Sequence, residues 1–421
     1  MNLTGEKNFF NLWNSSYKLF NMNILCICSY FKGTEFLIQQ SILGHRVFLI
    51  TCESRKQENW PWSHITETYY LPTEDNSTEN MALLKKGFGW LLQTEKIDVL
   101  VALDDFDVEK AAFLRSAFQI KGMNVHTAQL FRDKLAMRIT AKEFEISIPP
   151  FCPLFNDMAV HQFMREVEGP WIIKPRSQAS TTGIKKVASY NEVAQFLQDA
   201  GENRTDYLLE KFIPGSVFHC DSLSYKGDIV FEKTSRYLET PLKVAHEGGI
   251  FKTITLPDYT SDNKEILSLN KQLLHSFNLQ NGASHTEFIK AEKDEKIYFL
   301  ETSARVGGAH ITELLEAATG INMWKEWANL EHCVFENKPY KVPDKKNFFA
   351  GLIVSLAKMK EPDISIFSDE KIVWTLKKDY HVGMVFRSEY FEDIISMMEN
   401  ITPIIQEKFH ASAPTPDKPI D

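Results

Sequence analysis

From Asn23 onward, short apolar runs alternate with longer segments whose apolar residues recur every three or four positions. "NILCICSY", "HRVFLIT" and "IDVLVALDD" read as strands, and "GTEFLIQQSILG", "NMALLKKGFGWLLQTE" and "VEKAAFLRSAF" carry the helical period. Strands alternating with amphipathic helices predict a doubly wound parallel sheet, a Rossmann-like α/β domain over residues 22–130. No GxGxxG follows the first strand, so the pattern offers no dinucleotide site there. This domain reads as a scaffold or a substrate-side unit. Residues 1–21 are polar and aromatic without a period and read as a disordered extension or a misassigned start, because Met22 opens the first strand directly.

The rhythm then changes. "TAQLFRDKLAMRITAKEFEISIPPF" predicts one helix that ends before Pro149-Pro150. A small α+β lobe is expected over 131–215, with strands "PWIIKP", "IKKVAS" and "YLLEKFI" around the helix "YNEVAQFLQDA". Hairpins dominate 216–340: one turns at Lys226-Gly227-Asp228, and "HTEFIKAEKDEKIYFLETSA" turns across 291–296. Together with helices such as "NKEILSLNKQLLHSF" they predict a second α+β lobe. A separate strand-rich appendage is expected over 341–410, and "ASAPTPDKPID", residues 411–421, reads as a disordered Pro-rich tail.

Composition narrows the function. A chain of 421 residues with 43% hydrophobic content is globular and too long for one ordinary core, so two to four domains are expected. A net charge of -9 argues against a nucleic-acid surface. Six scattered cysteines lack zinc-site spacing and read as reduced thiols of a cytoplasmic protein. "ILCICSYF" is too short to span a bilayer, so no membrane partner is expected.

The chemistry gathers near the end of the second hairpin. In "FLETSARVGG" the residues Glu301, Ser303 and Arg305 alternate, which aims all three at one face of a strand. A turn near Asp294 would place Glu287 opposite Glu301. Like charges across a hairpin destabilise it, and a divalent cation, which takes carboxylates together with phosphate oxygens, would offset that; two exposed carboxylates in a slipped register would look the same. Lys174 ends an apolar strand before "RSQASTTG", a loop that is either merely flexible or able to present N–H groups and hydroxyls to a polyphosphate. Glu210 and Lys211 in "LLEKFIPG" end another strand, either as an interdomain linker or as the edge of an adenine pocket with apolar cover from Phe212 and Ile213.

Lys134 before a helix, Lys174 before a Ser/Thr/Gly loop, "EKFIPG", "TEF" and "ETSAR", in this order, resemble the ATP-grasp superfamily. The resemblance runs from about residue 23 to 335. It implies an α/β and α+β multidomain protein in which two lobes clamp ATP with Mg²⁺, Mn²⁺ being an alternative, behind an N-terminal pre-ATP-grasp domain. By that likeness Lys134, Lys174 and the loop with Ser180 meet the phosphates, and Glu210, Lys211 and Ile213 line the adenine pocket. Glu287 and Glu301 hold the metal, with Ser303 where many relatives have asparagine, and Arg305 faces the reacting group. Val217 stands where relatives often carry a ribose-binding glutamate, with His219 and Asp221 just beyond as replacements.

The implied reaction activates a small carboxylate as an acyl phosphate and joins it to an amine. Phosphoryl transfer needs positioning and charge neutralisation, and the Arg305 fork with the N–H groups at Gly307-Gly308 suits a developing oxyanion. The acidic base of biotin-carboxylase-like members is missing after Arg305, which counts against bicarbonate. The alternatives are a kinase-like or carboxylase-like relative and a non-catalytic ATP-binding module. Arg236, His246 and His310 are further candidates for the cleft, small-molecule carboxylate and amine substrates are the implied partners, and a homodimer is compatible with the resemblance.

Overall fold

The structure, a computed structural model, describes residues 22–179 and 181–412. The extension over 1–21, Ser180 and residues 413–421 of the tail lie outside the described residues.

The N-terminal region contains β1 (Asn23–Ile27), α1 (Thr34–Ile42), β2 (Arg46–Cys52), β3 (Glu67–Leu71), α2 (Thr78–Leu91), β4 (Val99–Ala102) and α3 (Asp107–Phe118). All strands pair in parallel in the order β3-β2-β1-β4. β3 occupies a stretch whose sequence shows no clear period. Its side chains are mostly half-buried at the sheet edge, so the apolar signal is weak.

The helix expected to run unbroken to the prolines is two helices, α4 (Val125–Gln129) and α5 (Lys134–Glu143). Asp133 starts the second one, its carboxylate accepting from Leu135 N–H, and so restarts the backbone ladder with Lys134 at the first helical position. The break matters for the site, because Lys134 N–H donates to Arg176 O at 2.8 Å.

A small lobe follows, with β5 (Phe151–Pro153), α6 (Asp157–Glu166), β6 (Trp171–Pro175), β7 (Lys185–Val187), α7 (Tyr190–Ala200) and β8 (Tyr207–Lys211). Its antiparallel sheet has the order β5-β8-β6-β7.

The remaining elements are β9 (Gly215–Tyr225), β10 (Asp228–Tyr237), α8 (Pro241–Glu247), β11 (Phe251–Thr255), α9 (Ser261–Ser276), β12 (Gly282–Ala291), β13 (Ile297–Ser303), α10 (Ile311–Thr319), α11 (Met323–Phe335), β14 (Phe349–Leu356), β15 (Ile372–Thr375), β16 (His381–Ser388) and α12 (Phe391–Lys408). Residues expected as a separate appendage extend the large-lobe sheet instead: β14 pairs with the open edge of β11, giving the order β13-β12-β9-β10-β11-β14-β16-β15. An open edge exposes unpaired N–H and C=O groups, and β14 satisfies them.

Candidate active site

Nine of the residues singled out from sequence line one cleft: Lys134, Lys174, Glu210, Lys211, Phe212, Ile213, Val217, Glu287 and Glu301. The cleft lies between β6 and β8 of the small lobe and β12 and β13 of the large lobe, with Gln178, Thr181 and Thr182 from the loop and Thr240 and Leu242 beside α8 also contributing. The loop turns back at Gly183, whose φ is +73° and where a Cβ would come within 2.8 Å of the Pro175 ring. A side chain there would push the loop off the end of β6.

Glu287 and Glu301 pair directly across the hairpin, with a bulge just after Glu287. Each has a partner within the chain. Tyr237 Oη donates to Glu287 Oε1 at 2.9 Å, and Lys134 Nζ lies 2.9 Å from Glu301 Oε2. The two carboxylates expected to share a divalent cation therefore also have partners within the chain, a phenol and an ammonium. Lys134 Nζ also donates to Gln178 O at 2.7 Å, tying the loop to the acidic pair. Burial would raise the Glu301 carboxyl, but the charge of Lys134 and its hydrogen bond overcome this and hold it below its ordinary value.

The lysine on β6 is held differently. Lys174 Nζ is 2.5 Å from Glu210 Oε2, and the other carboxylate oxygen is 2.7 Å from Arg138 Nε. Glu210 is 1% exposed, so both oxygens are spent on cations. Its side chain holds Lys174, while the residue itself lines the cleft expected to take adenine. Burial would raise the Glu210 carboxyl, yet Arg138 and Lys174 hold it below its usual range. Burial likewise lowers the Lys174 ammonium, against the pull of Glu210. The backbone N–H groups of Lys211 and Phe212 donate to Pro150 O and Pro170 O, which fixes the strand that presents Ile213 to the cleft.

Ser303 and Arg305 are not brought to the same wall. Ser303 Oγ and Arg305 Nη2 both donate to Asp105 Oδ2 at 3.1 Å, and Arg305 Nη1 donates to Val306 O at 3.0 Å. Asp105, on the loop after β4, reaches them from the N-terminal region. Ser303, expected beside the metal, and Arg305, expected to face the reacting group, are thus both engaged by Asp105 in this structure. Burial would raise the Asp105 carboxyl, but Arg305 and Arg132 hold it well below the carboxylate range.

His219 and Asp221, expected near a ribose, are fully buried. One Asp221 oxygen is 2.6 Å from His219 Nδ1 and the other 2.8 Å from His285 Nδ1; His219 Nε2 meets Thr253 Oγ1 at 2.8 Å. These three groups form a buried polar brace, and His285 Nε2 lies 3.7 Å from Glu287 Oε1. Burial would lower the His285 imidazolium, but Asp221 outweighs it and pushes it up to about 9. Gly307 must lack a side chain because a Cβ there would come within 2.7 Å of Asp221 Oδ1. Arg236, His246 and His310 do not line the cleft; His310 packs its ring, tilted, against Trp374 and meets Glu313 instead.

Sequence reasoning missed Arg138, Tyr237, Asp105 and His285. Arg138 had a signal, since it follows Lys134 by four positions and shares its helix face. Asp105 lies in the loop beyond β4, the edge strand of the N-terminal sheet, and no local pattern singles it out.

No family model matches the chain. Over 277 residues it is 26% identical to the L-arginine-specific L-amino acid ligase of Bacillus subtilis, covering 64% of this chain and 65% of that protein. The chain thus spans just under two thirds of that curated relative. Its fold is similar to the crystal structure of the L-amino acid ligase from Bacillus licheniformis (TM-score 0.68, 16% identity, 92% of this chain and 98% of that one). It is also similar to the biotin carboxylase domain of the Hydrogenobacter thermophilus 2-oxoglutarate carboxylase, a dimer solved with MgADP and bicarbonate (TM-score 0.67, 16% identity, 90% and 89% covered). With its small lobe and large lobe facing each other across a lysine- and glutamate-lined cleft, the chain has the ATP-grasp fold.

Proposed function

We propose that the chain is an ATP-dependent carboxylate–amine ligase, which activates a small carboxylate as an acyl phosphate and releases ADP and phosphate as the C–N bond forms. The observation that carries this is the meeting of two opposed carboxylates and two buried lysines in one interlobe cleft. A similar fold was solved with MgADP, and similar chains are amino acid ligases.

Lys134 and Lys174 supply positive charge for the ATP phosphates, beside the loop that includes Ser180, and Lys211 and Ile213 flank the base. Glu287 and Glu301 fit a hard divalent cation, being two carboxylates on one cleft wall; Mg²⁺, or Mn²⁺ in its place, would neutralise phosphate charge there. The carboxylate oxygen attacks the γ-phosphorus as ADP leaves. The amine nitrogen then attacks the acyl carbon, phosphate departs, and the nitrogen loses a proton. In this reading Arg305, which Asp105 holds, is the cation for the acyl oxygen. Ser303 supports it through the same carboxylate rather than as a firm metal ligand.

Amino acids are the substrate class that the relatives favour. A cytoplasmic location and a homodimer belong to the same proposal; no described helix is long and apolar enough to cross a membrane.

The test is ADP release across a panel of amino acids and other carboxylic acids with amines, with product masses. Turnover that needs both an acid and an amine, giving a product lighter than their sum by one water, is expected. ADP formed with one substrate and a stable phosphorylated product would replace the ligase with a kinase.

A further inference from the structure

Arg138 stands one turn beyond Lys134 on α5, is fully buried and does not line the cleft. Its Nε faces Glu210, its guanidinium lies 5.5 Å from the Phe299 ring centroid, and neither Nη atom has a hydrogen-bond partner among the described residues. Burying a guanidinium is costly, and the usual compensation is a fully used donor fork. Arg138 leaves most of its fork unused, so its charge needs another explanation.

The charges of the cluster supply one. Glu210 lies between two cations, Arg138 behind and Lys174 on the cleft wall. Were Lys174 the only partner, the pair would be neutral and little charge would face the cleft. With Arg138 present, one anion serves two cations and a positive charge is left over, on the side where Lys174 meets the cavity.

We propose that Arg138 is a positioning residue which neutralises Glu210 from behind and so keeps the charge of Lys174 available to the phosphates of a bound nucleotide. This rests on the nucleotide reading of the cleft given above.

The experiment titrates the full-length protein calorimetrically with MgADP and, separately, with adenosine. Arg138→Met is expected to weaken MgADP about tenfold, the size of a typical coupling between charged neighbours, while adenosine changes less than about twofold on the same scale. Arg138→Lys should recover most of the loss. Should Arg138→Met fold poorly, the pair Glu210→Gln and Glu210→Gln/Arg138→Met decides: once the anion is gone, removing the arginine should cost no further MgADP affinity. Equal losses for MgADP and adenosine, an unchanged MgADP affinity, or losses that multiply in the double variant overturn the inference while leaving the nucleotide site standing. A parent protein that fails to bind MgADP removes both.

Discussion

The small lobe and the rest of the molecule are held together in different ways. The small lobe has a core of its own, built from Cys152, Leu154, Val160, Trp171, Ile173, Val187, Val193 and Leu209. The N-terminal sheet and the large lobe share one instead: Leu25 and Phe48 belong to the same apolar cluster as Phe218, Phe277, Phe288 and Phe299, with Phe131 and Met137 of the linker between them. A second shared cluster joins Phe36 and Trp60 to Ile311 and Trp327. Contacts reaching the small lobe are prominently polar: Arg138 with Glu210, Lys134 with Gln178 O, Arg132 with Ser177 O and Asp133 with Arg176. Shared apolar cores do not slide without opening voids, whereas ionic seams are readily remade. Glu287, Glu301, Arg305 and Asp105 therefore sit on one rigid body. Lys174 and the Ser/Thr/Gly loop sit on another, an arrangement that suits closure of the proposed nucleotide cleft.

The largest expected effect tests the rigid side. Glu301→Gln should retain the fold, by circular dichroism, and lower ADP release by roughly 10²-fold or more, as for removal of a group that stabilises transition-state charge. Equal ADP production by variant and parent would sink the assignment of the acidic pair. Core truncations come next. Leu209→Ala, at a fully buried small-lobe position, should cost about 2–5 kcal/mol, with lost amide protection confined to β5, β6 and β8. Phe299→Ala, at the junction where its ring packs on Phe277 and Phe288, should cost about 3–5 kcal/mol and lower protection in the N-terminal sheet and the large lobe together. Should Leu209→Ala deprotect β1 as strongly as β6, the two-body description fails.

How much of this could be read from sequence follows the same division between local and distant information. Strands β1, β2 and β4 are visible in their apolar runs, whereas the facing of Glu287 and Glu301 depends on a bulge: the pairs nearer the turn, Ile289 with Tyr298 and Lys290 with Ile297, would by themselves set Leu300 opposite Glu287. The fate of Glu210 could not be read. A carboxylate at a strand end looks exposed until Arg138, far away in sequence, is folded against it. The restart of the helix at Asp133 was masked because apolar residues continue across it, although an aspartate is a ready N-cap. The pairing of β14 with β11 depends on which sheet edge stays open, a tertiary choice that strand propensity does not encode. Asp105 shows the same limit, since a loop carboxylate acquires its meaning only from the arginines brought to it.

The smallest predicted effect concerns pH and the apolar seam. His45, just after α1, is buried with its Nε2 3.0 Å from Nδ1 of His332 on α11; nearby, Gln39 donates to Asn329 and Phe36 packs against Trp327. Burial, and then the positive charge His332 can carry, push the His45 imidazolium down to about 4, with Glu336 opposing them in part. Its buried Nδ1 has no acceptor among the described residues, so protonation would add an unsatisfied donor. In the unfolded chain the same histidine takes its proton near 6.5. Between these values the unfolded state binds the extra proton, so this group's contribution is complete above about 6.5, declines as the pH falls toward about 4 and declines no further below it. Denaturant midpoints measured across that window should fall less steeply for His45→Gln than for the parent, and the difference should appear as amide exchange in α1 and α11 rather than in β6 and β8. Parallel slopes for the two proteins would show that this histidine pair does not tie the N-terminal sheet to the large lobe.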